Sequence, residues 1–290
     1  MNQAFVLGIA LPVTLFLIMF SMGTDLKPAN FLLLLRSPRS VMIGLLAQMV
    51  LLPCLALALL YPLRLPLELY AGFVILALSP GGTTSNLFSY LANGNLALSI
   101  TLTAVVSLLT PVTLPLLAEQ ILASRFAPVG GLHLPFAETM LKLLVVTVLP
   151  VILGMLLNHY HHDYCRRNMA WITRAPLFML LAVIAGIIHQ NWQQMPVYLE
   201  QTGAPALLLA SLALVAGYWF ARFFALRHHD ARTIAIETSI QNGGTAILVT
   251  GTLLQNPAMT VAPVMYGILM LLPVSLYLLW KNQIRPVFAG

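Results

Sequence analysis

The sequence has very little charge. Its 290 residues include 14 Lys or Arg and 8 Asp or Glu, together 8% of the chain. A soluble domain carries about 25% charged residues, which keep its surface hydrated. This composition therefore excludes a soluble enzyme. With 60% hydrophobic residues and a mean hydropathy of +0.91, the chain is expected in a lipid bilayer, where a spanning helix needs about 20 apolar residues.

Cysteine and the common catalytic motifs are scarce as well. The two cysteines are Cys54, inside an apolar stretch, and Cys165, in a predicted loop, and we interpret both as structural. The histidine-rich segment 159–163 contains ligand-type side chains, but no second cluster completes a metal site, so we predict a solvated loop. Ser-Lys or Asp-Asp pairs, HExxH and Asp-rich diphosphate motifs were not found. We predict a protein that is not an enzyme, with an intramembrane enzyme or a sensor as the less favoured alternative.

The uncharged stretches predict an all-α polytopic membrane protein with nine transmembrane helices. Five stretches have single length, and two, 69–118 and 238–280, are long enough for two crossings that turn near 92–95 and 255–257. The expected spans are about 4–23, 39–61, 68–91, 95–122, 138–158, 169–189, 203–226, 231–254 and 259–281. An odd number of spans places the two termini on opposite sides of the membrane.

The basic residues orient the predicted helices, because Lys and Arg concentrate in cytoplasmic loops. One side holds Lys27, Arg36, Arg39, Arg166, Arg167, Arg174, Arg222, Arg227, Arg232, Lys281 and Arg285, and the other holds Arg64, Arg125 and Lys142. We therefore predict a multi-pass protein of the inner (plasma) membrane with its N-terminus outside and its C-terminus in the cytoplasm. This bias explains the net charge of +6 without nucleic-acid binding. Nothing in the sequence calls for an obligate protein partner.

One carboxylate is predicted within the membrane. Glu237 lies six residues into the eighth span, whereas the other seven acidic residues fall in loops or at helix ends. An ionisable residue inside a membrane is costly and is a functional candidate by default. No Lys or Arg lies at a matching depth in the predicted spans, so the expected partner of Glu237 is a proton, a metal cation or a substrate.

Two of the predicted spans contain helix-breaking sequences. Pro80, Gly81 and Gly82 interrupt the third span, and the Gly-Gly-Thr of residues 81–83 recurs at 243–245 in the eighth span, which runs in the opposite direction. Irregular backbone at this depth is tolerated only when protein or a wet cavity surrounds it. Two interrupted, oppositely directed helices in the two halves of a chain indicate an inverted-repeat secondary transporter with its site at the midplane.

The breaks assign chemical roles to their neighbours. Free N–H groups near Thr83, Thr84, Asn242 and Gly243 favour an anion, and unwound carbonyls near Ser79 and Ile240 favour a cation. Oxygen donors suited to Na⁺ rather than to a soft metal are Glu237, Ser85, Asn86, Gln241 and Gln48. Ser99 and Thr103 are four residues apart, on one face of the fourth helix.

Four sequence motifs resemble the bile acid:sodium symporter family, which includes the apical sodium-dependent bile acid transporters of animals. The motifs are Met19-Phe20-Ser21-Met22-Gly23 with Leu26-Lys27-Pro28, the run Pro80 to Asn86, the run Asn93 to Ser99, and Glu237 to Asn242. The resemblance covers nearly the whole chain. It implies a core domain of broken, crossing helices, a smaller panel domain, and alternating access as the two move against each other.

The implied domain limits are 1–38 for panel helix 1 and its loop, 39–122 for the first half of the core, 123–202 for panel helices 5 and 6, and 203–290 for the second half of the core. The broken helices are expected at about 68–91 and 231–254. Bacterial members of the family have ten helices, so this chain is expected to lack one panel helix, as the animal carriers do.

The resemblance also implies two sodium sites. The first comprises Ser85, Asn86, Ser99, Thr103 and Glu237. The second comprises Gln48, Glu237 and Gln241 with the backbone carbonyls of Thr238 and Ile240. The substrate is expected to meet Thr83, Thr84, Asn242 and Gly243 at the crossing.

From these observations we predict a symporter that imports an organic anion with two Na⁺ ions as its coupling cofactor. A carrier that uses Glu237 as a proton site is the alternative. The substrate class stays open among bile acid-like anions, small carboxylates and sulfonates.

Overall fold

The computed structural model describes residues 5–26, 33–126, 135–190 and 192–284. In chain order its α-helices are α1 (Leu11–Asp25), α2 (Leu33–Arg36), α3 (Pro38–Leu46), α4 (Leu52–Leu60), α5 (Leu67–Ala77), α6 (Thr84–Leu91), α7 (Leu96–Phe126), α8 (Phe136–Leu143), α9 (Leu149–Tyr160), α10 (His162–Gln190), α11 (Met195–Phe223), α12 (His228–Ser239), α13 (Gly243–Ile247), α14 (Val261–Leu269) and α15 (Leu271–Ile284). Turns of π-helix lie at Val6–Ala10, Ala47–Leu51, Leu144–Val148 and Leu248–Leu253, and 3-10 turns at Trp192–Gln194 and Pro257–Thr260. The regular structure of the described residues is therefore helical, which is consistent with a polytopic membrane protein.

Within the described residues, seven continuous helical runs are long and apolar enough to cross a membrane. They are Gly8–Asp25, Pro38–Leu60, Leu96–Ala123, Phe136–Tyr160, His162–His189, Trp192–Phe223 and Pro257–Lys281. Two further predicted spans each consist of two short helices. In the first, α5 ends at Ala77 and α6 begins at Thr84; in the second, α12 ends at Ser239 and α13 begins at Gly243.

The two interruptions cross and pair with each other. Gly81 and Gln241 form an antiparallel β-bridge. The N–H of Asn242 donates to the carbonyl of Pro80 at 2.8 Å, and the N–H of Gly82 donates to that of Ile240 at 3.2 Å. The hydroxyl of Tyr266 donates to the carbonyl of Ser239 at 2.8 Å. Because lipid cannot bond these exposed peptide groups, pairing across the crossing makes the breaks tolerable inside a membrane.

The predicted turns connect these helices. Asn93 has a positive φ of 50° in the turn between α6 and α7, a conformation that Asn tolerates better than most residues. At the second turn, the side chain of Asn256 accepts hydrogen bonds from the N–H groups of Ala258 and Met259. Both short connections bring the following helix back alongside the broken one.

Some predicted boundaries were wrong because helices continue beyond the apolar stretches. The predicted loop at 159–168 is mostly helical, because α9 continues to Tyr160 and α10 begins at His162, and Cys165 is buried within α10. The predicted domain limits at 122/123, 202/203 and 38/39 lie within α7, α11 and α3, and the division into core and panel domains stays a prediction. Backbone hydrogen bonding does not require apolar side chains, so charges do not mark where a helix ends. Lys27, Pro28 and Arg285, used for orientation and motifs, lie outside the described residues.

Candidate functional site

Glu237 is fully buried and its carboxylate is surrounded by donors. Ser85 Oγ donates to Glu237 Oε1 at 2.5 Å, and Ser99 Oγ donates to the same oxygen. Thr103 Oγ1 and Gln48 Nε2 donate to Oε2 at 2.9 and 3.1 Å. These five residues, Gln48, Ser85, Ser99, Thr103 and Glu237, are called the Glu237 cluster. They bring together four predicted sodium ligands around the fifth.

The local sequence explains how these side chains meet. Ser99 and Thr103 are one turn apart on α7, so both face α12. Ser85 lies in the first turn of α6, immediately after the crossing, and its hydroxyl also reaches the carbonyl of Gly82 at 2.7 Å. Gln48 lies in the π-turn Ala47–Leu51, a local widening of a helix that is frequent at functional sites.

Gly81 leaves the space that the cluster occupies. A Cβ atom added at this position would lie 2.9 Å from both Gln48 Nε2 and Glu237 Oε2. That separation is shorter than van der Waals contact, so a larger residue would displace one of the two groups. The glycine-rich break therefore serves close approach as well as helix interruption.

Gln241 and Gln48 converge on the backbone carbonyl of Glu237. Gln48 Nε2 donates to it at 2.9 Å, and Gln241 Nε2 donates to it at 3.2 Å and to the carbonyl of Thr238 at 3.0 Å. These carbonyls are near the end of α12, where the ladder of helical hydrogen bonds stops. The predicted second group of ligands is thus also brought together, with the Ile240 carbonyl bonded to Gly82 at the crossing.

Two buried oxygen atoms in this region have no donor. Among the described residues, Gln48 Oε1 and Gln241 Oε1 are both buried without a hydrogen-bond partner. An unpaired buried acceptor costs about 1–3 kcal/mol, so such atoms are rare and call for an explanation. Amide oxygens beside a single carboxylate, with no sulfur or imidazole, form a donor set that fits a hard monovalent cation. In the described ranges, no group of three His, Cys, Asp or Glu side chains could hold a transition metal.

The remaining predicted ligand and the predicted substrate residues lie at the edge of this region. Asn86 is half-buried, and its Oδ1 lies 2.8 Å from the hydroxyl oxygen of Ser99, which links it to the cluster. At the crossing Thr84 is exposed, Thr83 and Gly243 are half-buried, and Asn242 is 8% exposed. Predicted ion ligands are therefore mostly enclosed, whereas most predicted substrate contacts are accessible.

Sequence reasoning missed two buried polar residues near the site. Tyr266 supports the crossing through Ser239, and no periodic signal in the sequence distinguishes it from other apolar-face tyrosines. Asp230 was predicted at a helix end and does lie in the first turn of α12, but its side chain is only 7% exposed. It is seven positions before Glu237, or about two helical turns on the same face, and that spacing is the signal that would have indicated it.

Comparisons with known proteins show which family of proteins this chain resembles. A profile of the group described as the Sodium Bile acid symporter family matches residues 12–195. A Bacillus subtilis protein named as an uncharacterized sodium-dependent transporter is 29% identical, over 80% of this chain and 71% of that protein. A probable chloroplastic sodium/metabolite cotransporter of Oryza sativa is 29% identical, over 93% of this chain and 63% of its own length. The human ileal sodium/bile acid cotransporter is 31% identical, over 82% of this chain and 67% of its own length.

Proposed function

Because the chain belongs to the sodium bile acid symporter family, whose members are membrane transporters and not enzymes, we propose that it imports an organic anion together with Na⁺ by alternating access. The observation that carries this proposal is the fully buried Glu237 carboxylate beside two buried amide oxygens that have no donor among the described residues. A carboxylate at this depth needs a compensating cation, and the unpaired oxygens offer one its ligands.

We assign two sodium ions to this region. The first would bind among Ser85, Asn86, Ser99, Thr103 and Glu237. The second would bind Gln48, Gln241 and Glu237 with the carbonyls of Thr238 and Ile240. Hydroxyl and carbonyl oxygens each have two lone pairs, so those already hydrogen-bonded can still accept an ion. The bound ions supply positive charge next to Glu237, and the protein residues hold that carboxylate in place and exclude lipid from it.

The substrate site would lie on the accessible side of the crossing. Thr83, Thr84, Asn242 and Gly243 are the proposed contacts. The electrostatic argument applies to the start of α6, because the first N–H groups of a helix have no partner within the helix and favour a negative group. The N–H groups of Asn242 and Gly243 already donate to the carbonyls of Pro80 and Gln241. Thr84 is exposed and begins α6, three residues after the Gly81 that contacts the buried cluster. The proposed substrate is a monovalent organic anion: a bile acid-like molecule, a small carboxylate or a sulfonate.

The architecture proposed for this mechanism has nine spans. It counts each interrupted pair, α5 with α6 and α12 with α13, as one span beside the seven continuous ones, related as an inverted repeat. The interrupted pairs would belong to the core domain, and α1, α9 and α10 to the panel domain. The orientation with the C-terminus in the cytoplasm of a plasma membrane follows from the basic residues.

A sodium-driven uptake assay tests the proposal. Purified protein in proteoliposomes should accumulate an anionic substrate, chosen by a thermal-shift screen of organic anions with and without Na⁺, when Na⁺ is high outside. Replacing Na⁺ by K⁺ at fixed pH should abolish accumulation. Uptake that persists in K⁺ and follows a pH gradient would instead support the proton-coupled alternative and overturn sodium coupling.

A further inference from the structure

A second buried carboxylate lies on the helix that carries Glu237. Asp230 and Glu237 are the buried acidic residues of the described ranges, and both are on α12. Seven residues separate them in the sequence, which corresponds to about 10 Å along a helix at 1.5 Å per residue. Their different depths on one face raise the question of what the second carboxylate does.

Three side chains donate to or share a proton with Asp230. Ser40 Oγ donates to Oδ2 at 2.9 Å, Asn95 Nδ2 donates to Oδ1 at 2.8 Å, and His229 Nδ1 lies 2.8 Å from Oδ1. Thr233, one turn further along α12, accepts from the N–H of Asn95 at 2.7 Å. We call Ser40, Asn95, His229, Asp230 and Thr233 the Asp230 cluster.

Each helix tied together here also carries a member of the Glu237 cluster. Ser40 precedes Gln48 by eight residues on the run α3 to Ala47–Leu51, and Asn95, the residue immediately before α7, precedes Ser99 by four. Asp230 precedes Glu237 by seven on α12. These spacings are close to whole numbers of helical turns, so the residues of both clusters share the same helix faces.

Asn95 transmits this contact into the orientation of α7. Its side-chain oxygen caps the helix by accepting from the N–H of Leu98 at 3.1 Å, which leaves its amide nitrogen directed at Asp230. A residue anchored at both ends of its side chain fixes the rotation of the helix that follows it. Ser99, one turn later, is thereby directed at Glu237.

The turn before α7 is held close to α12 by the same contacts. A Cβ atom at Gly94 would lie 2.5 Å from Thr233 Oγ1, so this glycine permits the close approach. Arg232 Nη1 donates to the carbonyl of Asn93 at 3.5 Å, and Lys281 Nζ donates to that of Ala92. Unlike the Glu237 cluster, the Asp230 cluster contains no buried polar atom lacking a partner within the described ranges. The hydrogen bonds of the Asp230 cluster are therefore complete, which fits a structural contact between helices and not a third ion site.

We propose that Asp230 is a positioning residue for the sodium site: it ties the starts of three helices so that Gln48, Ser99 and Glu237 meet in one register. This inference rests on the proposed function. Only an ionised carboxylate accepts from all of these donors at once, because an amide in its place presents an NH₂ group to at least one of them.

The test is a sodium titration of the full-length Asp230→Asn variant, read by thermal shift and by uptake in proteoliposomes. The half-saturating Na⁺ concentration should rise roughly five- to tenfold, because the charge that strengthens the hydrogen bonds from both Ser40 and Asn95 is lost. Maximal uptake at saturating Na⁺ should stay near that of the parent, since the ion ligands themselves are intact. Ser40→Ala, which removes one donor and leaves the carboxylate, should give a rise of about twofold and serves if Asp230→Asn does not fold.

The exchanged double variant Asn95→Asp/Asp230→Asn provides the rescue. It restores a carboxylate–amide pair across the same gap, and an aspartate also caps a helix well. Its sodium half-saturation should return to within about twofold of the parent. Asp163→Asn, an exposed acid in the first turn of α10, is the matched control and should change nothing.

The outcomes separate two kinds of failure. If Na⁺ changes neither the melting temperature nor the uptake of the parent protein, the proposed function is wrong, and the role inferred for Asp230 is wrong as well. If the parent responds to Na⁺ but Asp230→Asn shows only a lower melting temperature with unchanged sodium half-saturation, Asp230 is merely structural. Absence of rescue in the double variant would likewise contradict the positioning role.

Discussion

The two buried carboxylates of α12 have opposite relations to their surroundings. At Asp230 the hydrogen bonds are complete, and the described residues of its cluster leave no buried polar atom unpaired. At Glu237 the carboxylate has four side-chain donors, yet two amide oxygens near it have no donor among the residues that the structure describes. The comparison teaches that burial of a charge alone does not identify an ion site. An ion site is identified by buried acceptor atoms next to the charge that have no hydrogen-bond donor.

The largest expected effect comes from removing the Glu237 charge. Glu237→Gln should reduce sodium-driven uptake by at least about 100-fold, because the only charged ligand is lost from a buried site. Initial rates of substrate uptake in proteoliposomes measure this. Glu200→Gln, an exposed acid on α11, is the matched control and should transport like the parent. Undiminished accumulation in Glu237→Gln would contradict the proposed ion site.

A membrane potential should change substrate accumulation, because the transported charges cross the membrane and the two buried carboxylates do not. With the proposed stoichiometry of two Na⁺ ions and one monovalent anion, each cycle would move one net positive charge inward, whereas the charges of Asp230 and Glu237 stay with the protein. At about 2.3 kcal/mol per charge per 100 mV, an inside-negative potential of about 100 mV should raise the equilibrium accumulation ratio about fiftyfold. Potassium-diffusion potentials set with valinomycin provide the measurement. Accumulation that does not respond to voltage would rule out this stoichiometry.

Filling the gap at Gly81 should damage the Glu237 cluster while the Asp230 cluster stays intact. Gly81→Ala places a Cβ atom 2.9 Å from Gln48 Nε2 and Glu237 Oε2. Overpacking of this kind costs about 1–3 kcal/mol, so the half-saturating Na⁺ concentration should rise about tenfold. Gly267→Ala on α14 is the control, since a Cβ atom there meets nothing within 4 Å. Equal sodium titrations for the two variants would show that the gap is not part of the site.

The smallest expected effect is at the crossing, outside both clusters. Tyr266→Phe removes the hydrogen bond to the Ser239 carbonyl. The resulting loss of stability should be about 1 kcal/mol, seen as a melting temperature lower by a few degrees, while sodium half-saturation stays unchanged. Tyr160→Phe, on an exposed tyrosine, should leave the melting temperature as it is. A large shift in sodium dependence at Tyr266 would mean that the crossing and the ion ligands are not separable in this way.

Much of the site was accessible from local sequence. Pro80 with two glycines indicates a helix break, and the structure places the end of α5 at Ala77. Glu237 stands out because it is an acid within an apolar span, and the spacing of Ser99 and Thr103 places both on one helix face. These signals depend on a few neighbouring residues, so they are readable without tertiary structure.

Other features depend on contacts between distant parts of the chain. Asp230 is buried because the turn before α7 folds over it, and its partner Asn95 is 135 positions away in the sequence. Helix α10 begins at His162, before the predicted start at about 169, because the helical backbone hydrogen bonds continue through polar residues. The π-turn at Gln48 likewise leaves no mark in the hydrophobic pattern. Sequence reasoning therefore identified Glu237, which has unpaired acceptors near it, and missed Asp230, which is buried by contacts between distant parts of the chain.

The backbone pairing between Pro80–Gly82 and Ile240–Asn242 has a consequence for coupling efficiency. Two peptide hydrogen bonds join the interrupted helices where they cross, so neither segment can shift alone without breaking them. Glu237 and Gln241, which we assign to the ion, and Thr83 and Asn242, which we assign to the solute, belong to these two interrupted helices, so under the proposed mechanism a shift of one pair would be passed to the other. Such an arrangement disfavours futile cycles, in which the cation gradient would dissipate without delivering cargo.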